Sequence, residues 1–168
     1  MKDRNSAHYL KKLYLLSCLE ELKALKPGNV NIKSILPGLK KNKFFRAAKI
    51  SSEKLTDVKL SLGESIYYSC KDCLDELRTN YNLGIILLCA PVIRASMQNF
   101  NTEKEFIYIL KQILIKIDLK DTKHITDAIK ISKPAGIKNY HSRGNIFKDN
   151  SSKLSFYELA CISKSFDR

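Results

Sequence analysis

At 168 residues, with 44% apolar and 9% aromatic side chains, the chain can bury the core of one domain, which excludes a disordered polypeptide. Thirty Lys and Arg against 17 acids give a net charge of +13, which points to polyanionic partners such as nucleotides, coenzymes or nucleic acid; a Lys-, Asn- and Ile-rich composition can also produce such an excess. Five cysteines without regular spacing suit reduced thiols rather than a disulfide framework. With no signal region and no apolar run long enough for a membrane span, a cytoplasmic, non-membrane protein is expected.

Ala7, Leu10, Tyr14, Cys18, Leu22 and Leu25 recur at helical spacing, with Leu13 and Leu15 widening the stripe, and predict a first helix over 6–25. It ends at Lys26-Pro27-Gly28-Asn29-Val30, because Pro27 disfavours helical geometry for Lys26 and Gly28 permits a tight corner. A helix-ending loop is the plainer reading of that corner. The sharper one is a phosphate cradle of a lysine and two bare amides. Residues 31–43, with Pro37, Gly38 and four lysines, read as a basic irregular connection. A short helix then spans 44–55, with Phe44, Ala47, Ala48 and Ile50 inward and Lys43, Arg46 and Lys49 outward.

Ser61 and Glu64 form a capping box for a helix over 62–77, whose inner face carries Ile66, Cys70, Cys73, Leu74 and Leu77. Cys70 and Cys73 are formally C-x-x-C, but both fall on the apolar face and no second pair of ligands completes a zinc site. The chain's organising stretch follows, from Thr79 to Ala95. Asn82 is a plausible N-cap for a helix whose residues 83–93 carry no charge, too short to cross a bilayer and suited to the centre of a bundle. Its amino-terminal end, flanked by Asn80 and Asn82, offers unpaired amides and the positive end of the helix dipole to an anion.

Thr102 and Glu105 make a second capping box for a helix with Phe106, Ile109, Leu110, Ile113 and Ile117 inward. Asp121 can cap a shorter helix that ends near Ser132, before Pro134. Residues 134–153 form a long aperiodic connection with His141, Arg143, Gly136 and Gly144. Ser155 and Glu158 then cap a last helix that runs to the end of the sequence without a terminating Gly or Pro, as a truncated element would. His8 and His124 fall on helix surfaces and read as solvated. No repeat or strand pattern emerges, so an all-α, single-domain bundle around a central apolar helix is expected.

Glu21, the Lys26-to-Val30 turn, Thr79-Asn80-Tyr81-Asn82-Leu83-Gly84 and Ala90-Pro91, with Asp127, Pro134, Gly136 and Asp167 after them, resemble in order the triphosphoribosyl-dephospho-CoA synthase family from about Ala7 to Arg168. The resemblance implies an all-α pentosyltransferase that joins ATP to dephospho-CoA with release of adenine, making a prosthetic-group precursor. Magnesium is the expected companion of ATP. It further implies Glu21 as base or metal ligand, Asn80 and Asn82 as ribose or base contacts, and Lys26, Gly28, Asn29, Gly84 and Gly136 around the nucleotide, with Asp167 a second metal ligand. Relatives continue for several helices beyond the equivalent of Arg168, so this chain resembles the amino-terminal part of that domain; a bundle ending there would expose apolar surface and self-associate. Pro37, where relatives carry a histidine, and Asn145, where an aspartate is common, suit an alternative: a degenerate member that binds nucleotide without turnover. A small basic nucleic-acid-binding helical protein is a further alternative, but no helix-turn-helix or zinc signature supports it, and nucleic acid is not an expected partner.

Overall fold

A computed structural model describes residues 6–24, 41–134, 145–147 and 153–164 as seven helices with no strand among them. These are α1 (Ala7–Lys23), α2 (Lys41–Leu55), α3 (Leu62–Leu77), α4 (Leu83–Ser96), α5 (Glu103–Ile115), α6 (Leu119–Ser132) and α7 (Phe156–Lys164). The expected all-α bundle is thus observed.

Capping chemistry sets most of the boundaries. Ser61 Oγ accepts from the Glu64 amide at 3.2 Å while Glu64 Oε2 accepts from the Ser61 amide at 3.0 Å, the reciprocal box expected for α3. Ser155 and Glu158 repeat it at α7. At α5 only half of the box forms: Thr102 Oγ1 accepts from the Glu105 amide, but the Glu105 carboxylate takes the amide of Asn101. For α6 the cap is Asp118 rather than Asp121, since Asp118 Oδ1 accepts from the Asp121 amide at 2.7 Å. Asp121 is released for another task and accepts the Ser61 hydroxyl across the helix pair. α2 starts at Lys41, so the end of the basic connection is already helical.

The most fully buried helix is α3, which packs between α6 and α2 and also touches α4. Its buried residues are small: Ser69 and Cys73 bond carbonyls of Ser51 and Ala47 on α2, Gly63 meets Asp121 of α6, and Ser65 and Cys70 are buried with them. Small side chains let helix axes approach closely, and the hydroxyls return their bonding capacity to helix carbonyls, as Ser65 does to Leu62 and Ser52 to Lys49. Larger side chains fill the remaining volume. Leu55, Ile86 and Ile125 are 0–2% exposed, and each contributes roughly 1.5–3 kcal/mol by leaving water.

The apolar helix α4 touches α1, α2, α3 and α5, yet it is not covered all round. Leu83, Ile86, Ala90 and Ile93 face the core, while Leu88 is 75% exposed. Arg94 anchors its far end by donating from Nη2 to the carbonyl of Leu60 at 2.6 Å. His124, expected to be solvated, is half-buried: its ring lies 5.8 Å from that of Tyr67, and its Nδ1 is buried without a hydrogen-bond partner among the described residues.

The tightest helix contact is at Gly63. A Cβ there would lie 2.6 Å from the Cα and the carbonyl oxygen of Asp121, backbone atoms that no rotamer change can move. Gly63→Ala should therefore push α3 and α6 apart and cost about 1–3 kcal/mol, as overpacking does. At about 2–4 °C per kcal/mol in a chain of this size, thermal unfolding will read it, and an unchanged midpoint would show a looser contact.

The same junction carries a pH dependence. The Ser61 amide, then the Lys120 ammonium, lower the Glu64 carboxyl from 4.5 to about 2. A depressed carboxyl contributes stability that is complete above its unfolded value and is lost as pH falls toward its folded one. Glu64→Gln should thus flatten the loss of stability between pH 4.5 and 2 in urea titrations, and an unaltered acid limb would contradict the pairing.

Candidate functional site

The turn from Arg78 to Asn82, between α3 and α4, holds the two asparagines of the central motif. Arg78 closes α3 in the left-handed region at φ 64°, its amide donating to the Leu74 carbonyl. Tyr81 then enters the core, 8% exposed, with its ring edge-on to Phe44 at 4.9 Å. That aromatic pair fixes the turn against α2 and leaves Asn80 and Asn82 on either side of a buried anchor.

The cap expected of Asn82 is made by Asn80. Asn82 occupies the N-cap position of α4, but its side chain makes no cap. Asn80 makes it instead, with Oδ1 accepting from the Leu83 amide at 3.0 Å. Asn82 is buried, and its Nδ2 donates to Ser51 Oγ at 3.0 Å. The physical reason is the backbone of Asn82, at φ −146° and ψ 21°, outside the extended conformation in which an N-cap side chain normally reaches forward.

Behind Asn82 lies a buried polar cluster that composition alone conceals. Ser51 Oγ lies 2.9 Å from Tyr14 Oη and donates to the Ala47 carbonyl at 2.8 Å. Ser69 donates to the Ser51 carbonyl at 3.1 Å, and the Cys73 thiol donates to the Ala47 carbonyl. Burial pushes the Cys73 thiol up to about 12 and Cys70 likewise to about 12, and it raises the Tyr14 phenol well above its usual range. All three groups are therefore neutral at ordinary pH. Among the described residues no group of three or more His, Cys, Asp or Glu could hold a metal ion, which leaves the Cys70 and Cys73 pair as core residues. A sequence signal for the cluster did exist: Ser51 stands in the apolar stripe between Ala47, Ala48 and Leu55.

Two hollows flank the turn. One is a narrow crevice of about 20 Å³ between α1, α2 and the start of α4, lined by Cys18, Glu21, Phe44, Ala48, Asn82 and Ile85. It brings Glu21 and Asn82 together as two of the expected site residues. The other is an open groove of about 500 Å³ at the ends of α3 and α6, lined by Leu74, Arg78, Thr79, Asn80, Ser132 and Lys133. Asn80 belongs to this groove and is thus separated from Glu21. Its two cations, Arg78 and Lys133, both sit in left-handed caps, and neither is ion-paired among the described residues.

Gly84, in the first turn of α4, is exposed and has no heavy atom within 4 Å of where a Cβ would be, so that side of the helix start is open. Asn145 is buried, with Oδ1 accepting from the Phe147 amide. Lys26, Gly28, Asn29, Gly136 and Asp167 lie outside the described residues, as do Pro37, His141 and Arg143.

A protein-family comparison matches residues 7–168 to CitG, described as ATP:dephospho-CoA triphosphoribosyl transferase. No curated protein and no solved structure matches the chain.

The cap makes Asn80 a structural as well as a chemical position. Asn80→Ala should lose about 1 kcal/mol through the uncapped Leu83 amide, whereas Asn80→Asp keeps an oxygen acceptor and should stay within about 0.5 kcal/mol of the native chain. Paired urea unfolding curves will check this, and equal stability of all three chains would remove Asn80 from the cap.

Proposed function

The chain belongs to the ATP:dephospho-CoA triphosphoribosyl transferase family, and from that membership we propose that it transfers the triphosphoribosyl group of ATP to dephospho-CoA with release of adenine. The observation that carries this reading is the match over residues 7–168, which spans both hollows and the Asn80-Tyr81-Asn82 turn between them. In the reaction a ribose hydroxyl oxygen of dephospho-CoA bonds to the anomeric carbon of ATP's ribose as the bond from that carbon to the adenine nitrogen breaks. The hydroxyl proton passes to a base and adenine leaves with a proton.

The residues suit a division of labour. The open groove is nucleotide-sized, and Arg78, Lys133 and Asn80 supply two cations and an amide for phosphate oxygens. The crevice admits only a group about the size of one water, so a hydroxyl rather than a base enters beside Glu21 and Asn82. Glu21 is the candidate base there. Gly84, with open space above it, lets a ligand approach the first amides of α4. Lys26, Gly28, Asn29 and Gly136 remain candidates for the nucleotide on sequence grounds.

Magnesium fits this site as an ion carried by the nucleotide. No described cluster forms a cage for it and no described carboxylate lines the groove, so Glu21, in the crevice, and Asp167 remain metal-ligand candidates on sequence grounds alone. When bound, the ion would neutralise triphosphate charge. The narrowness of the crevice favours one second reading, a chain that binds ATP in the groove without turnover.

The deciding assay is adenine release from ATP and magnesium with and without dephospho-CoA, for the native chain and for Asn80→Asp. Acceptor-dependent release that Asn80→Asp lowers by about 100-fold, while stability is retained, is the expected outcome. ATP binding without adenine release from folded protein would establish the second reading.

A further inference from the structure

A serine hydroxyl has one hydrogen and two lone pairs, and Ser51 uses all three. Ser51 Oγ lies 2.8 Å from the Ala47 carbonyl and 3.2 Å from that of Ala48, groups that can only accept, so its hydrogen goes to them. Only lone pairs remain for Tyr14 Oη at 2.9 Å and Asn82 Nδ2 at 3.0 Å. Tyr14 therefore donates its phenol hydrogen to Ser51, and Asn82 must turn its nitrogen, not its oxygen, toward α2. The reversed amide would set oxygen lone pairs against oxygen lone pairs inside a buried cluster.

From this saturation we infer that Ser51 is a positioning residue: it locks the Asn82 amide with Nδ2 inward and so assigns Oδ1 to the ligand side, where Asn82 acts as a hydrogen-bond acceptor. The ligand group is then a donor. The crevice that Asn82 shares with Cys18 and Glu21 is about 20 Å³, which fits one hydroxyl and no ring, so the donor is a ribose hydroxyl and not the base. Ligand recognition by Asn82 rests on the nucleotide reading above, whereas the lock itself does not.

The experiment compares native chain, Ser51→Ala and Tyr14→Phe. Tyr14→Phe removes the other donor to Ser51 but leaves the Asn82 bond intact, which controls for general loosening of the cluster. Nitrogen-15 NMR of the Asn82 side-chain amide reads the lock without any ligand. In the native chain its protons should exchange with solvent at least about tenfold more slowly than those of an exposed Asn side chain. Ser51→Ala should abolish that protection and Tyr14→Phe should retain it. Titration with dephospho-CoA and with an analogue lacking its adenosine ribose hydroxyls reads the consequence: Ser51→Ala should weaken dephospho-CoA binding by about tenfold while barely changing the deoxy analogue, and Tyr14→Phe should stay within about twofold for both. Solvent-like exchange of the Asn82 amide in the native chain overturns the lock, and that measurement needs no variant to fold. Equal weakening by both variants overturns positioning in favour of simple loosening. Failure of the native chain to bind dephospho-CoA would instead overturn the proposed reaction and the ligand half of this inference, leaving the exchange comparison to decide the lock.

Discussion

The hydrogen-bonding capacity of a single hydroxyl, that of Ser51, constrains the register of the three segments that meet at the candidate site. Tyr14 comes to it from α1 and Asn82 from the turn before α4, while its own hydrogen stays within α2. The Ser51 backbone carbonyl takes Ser69 from α3 as well. A helix packed only by aliphatic side chains can rotate or slide by a fraction of a turn at modest cost. One tied through buried polar groups cannot, because each displaced partner would be left unsatisfied away from water. Hydrophobic burial gives the bundle its stability, and this cluster selects one arrangement of it.

The second fixed point lies at the other end of α3. Gly63 permits the backbone of α6 to approach within reach of the Ser61 hydroxyl, and Asp121 accepts that bond. Arg94 binds the carbonyl of Leu60 just before this junction, so the end of α4 is tied where α3 and α6 meet. Burial lowers the Arg94 guanidinium, while Asp121 and Asp57 nearby favour its charge. α3 is thus pinned at its start to α6 and α4 and along its length to α2. The turn that follows it, which carries Asn80 and Asn82, is presented from a rigid support.

Local chemistry made much of this legible. α3 runs over the residues its capping box and apolar stripe indicate, and α1 and α7 start at their expected serines. Where two residues are equally able to do one task, a distant partner decides between them, and sequence spacing alone does not show which. Asp118 and Asp121 can each cap α6, and Ser61, 60 residues away in sequence, recruits Asp121. Asn80 and Asn82 can each cap α4, and Ser51 recruits Asn82. His124 falls on a helix surface by its spacing and so reads as solvated, whereas the Tyr67 ring from α3 lies 5.8 Å from it. The family motif was legible as a pattern of residues, but its division between a crevice and a groove depends on how α1, α2 and α6 converge on the turn.

The net charge of +13 is not spread evenly over function. Lys11, Arg46, Lys71, Lys120 and Lys123 are each held by a carboxylate on or across helices, in exposed pairs that contribute little and present little free charge. Arg78 and Lys133 differ, since both line the open groove at helix carboxyl ends. Each helix end carries roughly half a negative charge, so two cations against two such ends leave a field of about one positive charge. That suffices to attract a phosphate chain and to orient it, but not to neutralise a triphosphate. On the proposed reading the balance must arrive with the nucleotide as its divalent cation, which is consistent with a groove that offers donors and positive charge but no carboxylate among its lining residues.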